Sequence, residues 1–132
     1  MIDLIETQRI KEEMDAQPQN VAHIIENTTL GICITDEKGN FALVNNNYCQ
    51  IYGYTREELI GHNFTVVVPE EKLHQLRALH DKFIRDKIEI LRDWEVVTKS
   101  GKRIQISVDA GYSETILTKR PHKITFIQPE EE

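Results

Sequence analysis

His80 is the residue whose type and position first invite chemistry. It stands four residues after Leu76 and three before Phe83, so on a helix it shares their apolar stripe. An imidazole there either serves as a ligand or sits in a core with one hydrogen-bonded partner. Zinc is disfavoured, because His23, His62, His74, His80 and His122 show no compact ligand spacing. Asn45, Asn46 and Asn47 stand where a strand hands over to a helix. Asparagines at such junctions cap the helix and tie the turn, and Asn45 is also placed to make a polar contact at a cavity edge. Trp94 offers either a stacking surface or a core filler. Cys33 and Cys49 lie in apolar segments without Cys-x-x-Cys spacing and read as reduced, buried thiols. No nucleophile elbow, phosphate-cradling loop or facing carboxylate pair is visible. Ser107 and Asp109 are expected on the solvent face of a strand. The chain is read as no enzyme.

The elements that must position these residues follow from periodicity. Residues 2–16 predict an exposed amphipathic helix with Ile2, Ile5, Ile10 and Met14 on one stripe, ended by Pro18. A lone helix of that length is marginal in water, so the stripe needs a second subunit or the outer face of a sheet. "GICITDEKGNFALVN" (residues 31–45) reads as a hairpin, with Gly39 free to take positive φ. Tyr48, Ile51 and Tyr52 then show helical spacing up to Gly53. Thr55 and Glu58 have the capping-box spacing. Pro69 opens the long helix, expected over Pro69 to Lys87, with Glu70 and Glu71 in a first turn that favours anions. Strand alternation returns around Trp94 and Val96. In residues 103–110, Ile104, Ile106, Val108 and Ala110 share one face. A last strand spans Lys123 to Gln128. This order predicts an α+β fold in which helices cover one face of an antiparallel sheet.

The bulk properties set limits. The chain has 132 residues, enough for one domain with a real core. Its formal net charge of −6, without a Lys/Arg run, argues against nucleic acid as a partner. No apolar stretch approaches the ~18 residues that a membrane span requires, and the acidic start has no signal-peptide character. A cytoplasmic location is expected.

Four pieces in this order, "GICITDEKGNFALVN", "GYTREELIG", "VVPEE" and "TKSGKRIQISV", resemble a PAS domain. The resemblance implies a five-stranded antiparallel sheet, with short helices and one long helix enclosing a cavity against one face. It divides the chain into an N-terminal amphipathic helix (1–17), a PAS domain (20–128) and an acidic tail (129–132). It implies a sensory module that binds a small ligand or cofactor and relays occupancy through the flanking helix or dimer contacts. The output partner would be a separate signalling protein or a fused domain. A homodimer is expected, and the alternative is a ligand-free module for protein–protein interaction or dimerisation. The expected lining is Ile32, Ile34, Phe64, Leu76, His80, Phe83, Trp94, Ile104 and Ile106, with Asn45 at its edge.

Three states of the cavity stay open on this resemblance. Haem would take His80 as its iron ligand, although the haem-binding branch carries its ligand where this chain has Leu76. A non-covalent flavin would stack on Trp94. Flavin–thiol adduct chemistry is disfavoured, since "GHNFTVV" (residues 61–67) has no cysteine. The third state holds no cofactor.

Overall fold

Asp3 begins the first helix by accepting hydrogen bonds from the Ile5 and Glu6 amides with its side chain, so α1 runs from Leu4 to Ala16. The computed structural model describes residues 1–88 and 92–130, so the end of the expected acidic tail, 131–132, lies outside the described residues. Pro18 opens a 3-10 turn that leads into the short α2 (Val21–Ile24). The hairpin β1 (Gly31–Thr35) and β2 (Phe41–Val44) follows. Asn45 then caps α3 (Asn46–Tyr52), and Gly53, at φ 80°, closes it. Thr55 and Glu58 form the reciprocal capping box of α4 (Arg56–Leu59).

The long helix starts later than its proline. Pro69 and the two glutamates lead a 3-10 turn over Glu70–Lys72, and α5 proper spans Leu73–Asp86. At the other end Lys87 adopts φ 61° as the cap, so the helix stops one residue before its expected end. Strands β3 (Arg92–Val97), β4 (Arg103–Ser113) and β5 (His122–Pro129) complete the fold.

All strand pairs are antiparallel, in the order β2-β1-β5-β4-β3. The last strand thus lies between the first and the fourth. Because strand side chains alternate, each inner strand feeds two separate apolar layers. On one face Cys33, Val96, Ile106, Val108 and Ile127 pack with Phe41, Tyr48, Tyr52, Leu59 and Val67. On the other, Ile32, Ile34, Ile124 and Phe126 pack with Ile2, Ile10, Met14, Val21, Ile24 and Ile25.

That second layer answers what α1 does with its stripe. It lies on the outer face of its own sheet. Burying side chains such as Ile10 and Met14 contributes about 1.5–3 kcal/mol each. Ile5 departs from the expected stripe and is 83% exposed. The polar side of β4 is consequently not a solvent face. Ser107 is buried and accepts a hydrogen bond from the Ile2 amide at 3.1 Å. Asp109 accepts from the Thr7 hydroxyl at 2.6 Å and pairs with Lys11 Nζ at 3.2 Å. The Lys11 methylenes pass so close to Gly111 that a Cβ there would meet them at 3.0 Å. Alternation predicted which residues of β4 share that face. It could not reveal that a helix would cover them.

Candidate ligand cavity

The inner face of β1 and β5 presents two cross-strand pairs, Cys33 with Thr125 and Thr35 with Lys123. Beside them β3 and β4 contribute Trp94, Val96, Ile106 and Val108. The helical side closes over these strands with Tyr48 and Tyr52 from α3, Phe64, Val67 and Val68 from the following turn, and Leu76, Leu79 and His80 from α5. They enclose a cavity of about 100 Å³. That space exceeds the ~30 Å³ of one liquid water but falls short of the ~300–1,000 Å³ typical of pockets for drug-sized ligands.

The lining is graded. Trp94, Val96, Ile106, Val108 and Ile127 make one side apolar, while Thr35, Thr125, Lys123 and His80 gather at the other. The Lys123 ammonium stands 4.8 Å from the centre of the Phe83 ring. Glu95 also borders the space, and Arg103 holds its carboxylate at 2.9 Å while reaching Glu71 as well. The Tyr48 hydroxyl and Thr125 hydrogen-bond the Cys33 thiol, but burial dominates and pushes its pKa up to about 11. The thiol therefore stays protonated near neutrality and is a poor nucleophile.

His80 is 4% exposed, and its Nε2 lies 3.1 Å from the Glu37 carbonyl oxygen. The carbonyl can only accept, so this nitrogen carries the proton and donates. Burial, reinforced by the nearby Lys123 charge, lowers the pKa of the ring and favours neutral imidazole. Its ring packs 5.3 Å from that of Phe64.

Of the residues expected to line a cavity, Phe64, Leu76, His80, Trp94 and Ile106 meet there. Ile32 and Ile34 do not. Their strand turns Cys33 and Thr35 inward instead, and both isoleucines lie in the layer beneath α1. The strand period holds but the inward face is the opposite one, because two buried layers make either face of β1 apolar. Phe83 is buried but faces Tyr112 and Lys123 beside the cavity rather than bordering it. Ile104 packs against the inner apolar layer without reaching the space.

Asn45 is 0% exposed and has an architectural role. Its amide donates to the Ile25 carbonyl at 2.7 Å and the Leu30 carbonyl at 3.0 Å. Its oxygen accepts from the Ile32 and Tyr48 amides, each at 2.9 Å. Among the lining residues that sequence reasoning missed are the polar Thr35, Lys123 and Thr125. For Lys123 and Thr125 the signal was the alternation in residues 122–128, which puts polar side chains opposite Ile124 and Phe126.

Haem and flavin do not fit this arrangement. Both are far larger than the available space, His80 Nε2 is engaged by a carbonyl, and Leu76 presents no ligating atom. Among the described residues no group of three His, Cys, Asp or Glu side chains could hold a metal ion. Nor is any described helix long and apolar enough to cross a membrane.

Comparison with known proteins agrees with this geometry. A PAS domain from Desulfitobacterium hafniense superposes with a TM-score of 0.73 at 18% identity, covering 82% of this chain and 99% of its own. A domain of a sensory box sensor histidine kinase/response regulator from Geobacter sulfurreducens gives 0.69 at 19%, covering 89% and 98%. A LOV protein from Rhodobacter sphaeroides gives 0.73 at 11%, covering 87% of this chain and 67% of its own. No curated protein matches the sequence at a significant level. A family model described as PAS fold matches residues 19–119. With its strand order, its cavity between α5 and the sheet, and that match across most of its length, the chain belongs to the PAS family.

Proposed function

We propose that this protein is the sensory module of a signalling system, in which a small molecule in the cavity alters how α1 sits on the sheet. One observation carries this reading. β1, β4 and β5 line the cavity with Cys33, Thr35, Ile106, Val108, Thr125 and Ile127. On their reverse sides the same strands seat α1 through Ile32, Ile34, Ser107, Asp109, Ile124 and Phe126. A displacement of any of these strands reaches both places, because neighbouring side chains hang from one backbone. The ligand must bind two arrangements with unequal affinity for this to work. Residues 1–17 then act as the transmitting helix and residues 20–128 as the sensor. The receiver is a signalling partner, separate or fused, a reading supported by two structural neighbours that are domains of sensor histidine kinases.

Filling the cavity tests the relay without any ligand. Val108→Phe should raise amide exchange in α1 at least tenfold relative to α3. Thr55→Ala, which weakens a cap away from the cavity, should leave that ratio unchanged. An unchanged ratio in Val108→Phe would remove the proposed coupling.

A dimerisation module remains the second reading, favoured by Met1, Leu4 and Ile5, which leave an apolar strip exposed beside the docked stripe. A two-fold dimer through this strip should show at least tenfold weaker self-association in Ile5→Lys, measured by sedimentation equilibrium. A parent protein that is monomeric at every concentration would defeat it.

A further inference from the structure

The ionisable side chains that border the cavity are Cys33, Tyr48, Tyr52, His80, Glu95 and Lys123, and none presents an open charge to it. Burial holds the Cys33 thiol and the Tyr48 and Tyr52 phenols in their protonated forms and favours the neutral ring of His80. Arg103 holds the Glu95 carboxylate at 2.9 Å. Lys123 is engaged as well, with its ammonium 4.8 Å from the centre of the Phe83 ring. Among the described residues no buried side-chain nitrogen or oxygen lacks a hydrogen-bond partner. A charged ligand would therefore leave water for a space of about 100 Å³ that returns no free counter-charge. An apolar body gains there instead, against the indole of Trp94 and the hydrocarbon of Val96, Ile106 and Val108.

One polar feature of the wall still has capacity. Thr35 and Thr125 place two hydroxyls on the inner face of neighbouring strands. A threonine hydroxyl carries one proton and two lone pairs, so a single bond to the protein leaves it room to accept another. We propose that the cavity binds a small uncharged molecule, an apolar body of a few carbons with a single hydroxyl, seated with the body against Trp94 and Ile106 and the hydroxyl towards Thr35 and Thr125. This rests on the sensory reading above and adds the charge, size and polarity of the signal. Anions and cations of the same shape are both rejected, because each loses its hydration for an uncharged wall. Selection by length follows from the closed apolar side.

Butanol, butyrate, butylammonium and methyl propyl ether, the isomer of butanol without a proton to donate, are suitable probes. Each is titrated into the full chain at neutral pH and followed by amide and indole chemical shifts. Butanol should saturate shifts at Thr35, Thr125 and Trp94 at least tenfold more tightly than either ion and more tightly than the ether. Its methyl protons should show cross-relaxation with the Trp94 indole. Thr35→Val combined with Thr125→Val should bring butanol down to the level of the ether, while unchanged ether binding in that variant shows that the cavity is intact. Either ion binding as well as butanol, the ether matching butanol in the parent protein, or butanol shifts away from Trp94 would overturn this assignment and leave the sensory reading standing. If none of the four binds, the assignment falls alone when Val108→Phe still raises exchange in α1, and both readings fall when it does not.

Discussion

Asn45→Leu should destabilise the fold by about 4 kcal/mol, one of the largest losses available from a single residue away from the apolar core. The leucine matches the asparagine in size but none of its bonds. It strands the Ile32 and Tyr48 amides and removes a partner from the Ile25 and Leu30 carbonyls, all in a dry interior. A buried donor or acceptor left without a partner costs about 1–3 kcal/mol. Leu30 keeps some compensation, because the Asn47 amide also reaches its carbonyl at 3.3 Å. Asn45→Asp should cost less than Leu, since its carboxylate still accepts from the two amides, but it opposes oxygen to the two carbonyls. Urea unfolding checks both, read at the midpoint with a constant slope. A loss below about 1 kcal/mol for Asn45→Leu would contradict the network described. The same experiment speaks to function, because Asn45 ties α2, the start of β1 and α3 into one unit. Loosening it should weaken both the α1 seat and the α3 wall of the cavity.

Gly39→Ala is the second large effect, expected at about 2–4 kcal/mol. Gly39 sits in the hairpin turn at φ 85°, a conformation that costs an L-residue about 1 kcal/mol or more. Its added methyl would also stand 2.6 Å from Cδ1 of the Phe64 ring, and overpacking of this kind adds roughly 1–3 kcal/mol. Gly101 provides the control. It has φ 89° but nothing within 4 Å of the point where a Cβ would stand, so Gly101→Ala should cost the dihedral contribution alone, about 1 kcal/mol. The expected difference between the two variants measures the contact with Phe64. Equal losses would mean that the ring moves aside freely. Phe64 borders the cavity and packs against His80, so Gly39→Ala should also shift the His80 ring resonances, whereas Gly101→Ala should not.

These two positions mark how far sequence reasoning reaches. The capping box at Thr55 and Glu58 was legible because both partners lie within one turn, where local geometry decides the bonds. Gly39 was legible as a turn residue for the same reason. Its contact with Phe64 was not, since the ring arrives from 25 residues away through the 3-10 turn that follows α4. Asn45 was legible as a helix cap through its bond to Tyr48, but three of its four bonds reach other elements. His80 could be assigned to the apolar side of its helix from spacing alone. Its partner, a backbone carbonyl in the distant hairpin, could not.

Local periodicity and capping chemistry determined the kinds of element, their order and the alternation along each strand, because those depend on neighbours within a few residues. Tertiary packing alone decided which apolar face of β1 looks inward, since both faces are buried and the pattern carries no sign. It also decided that α1 covers β4, and that Thr35, Lys123 and Thr125 share a cavity with Trp94. Those outcomes arise from bringing strands distant in the chain side by side in the order β2-β1-β5-β4-β3.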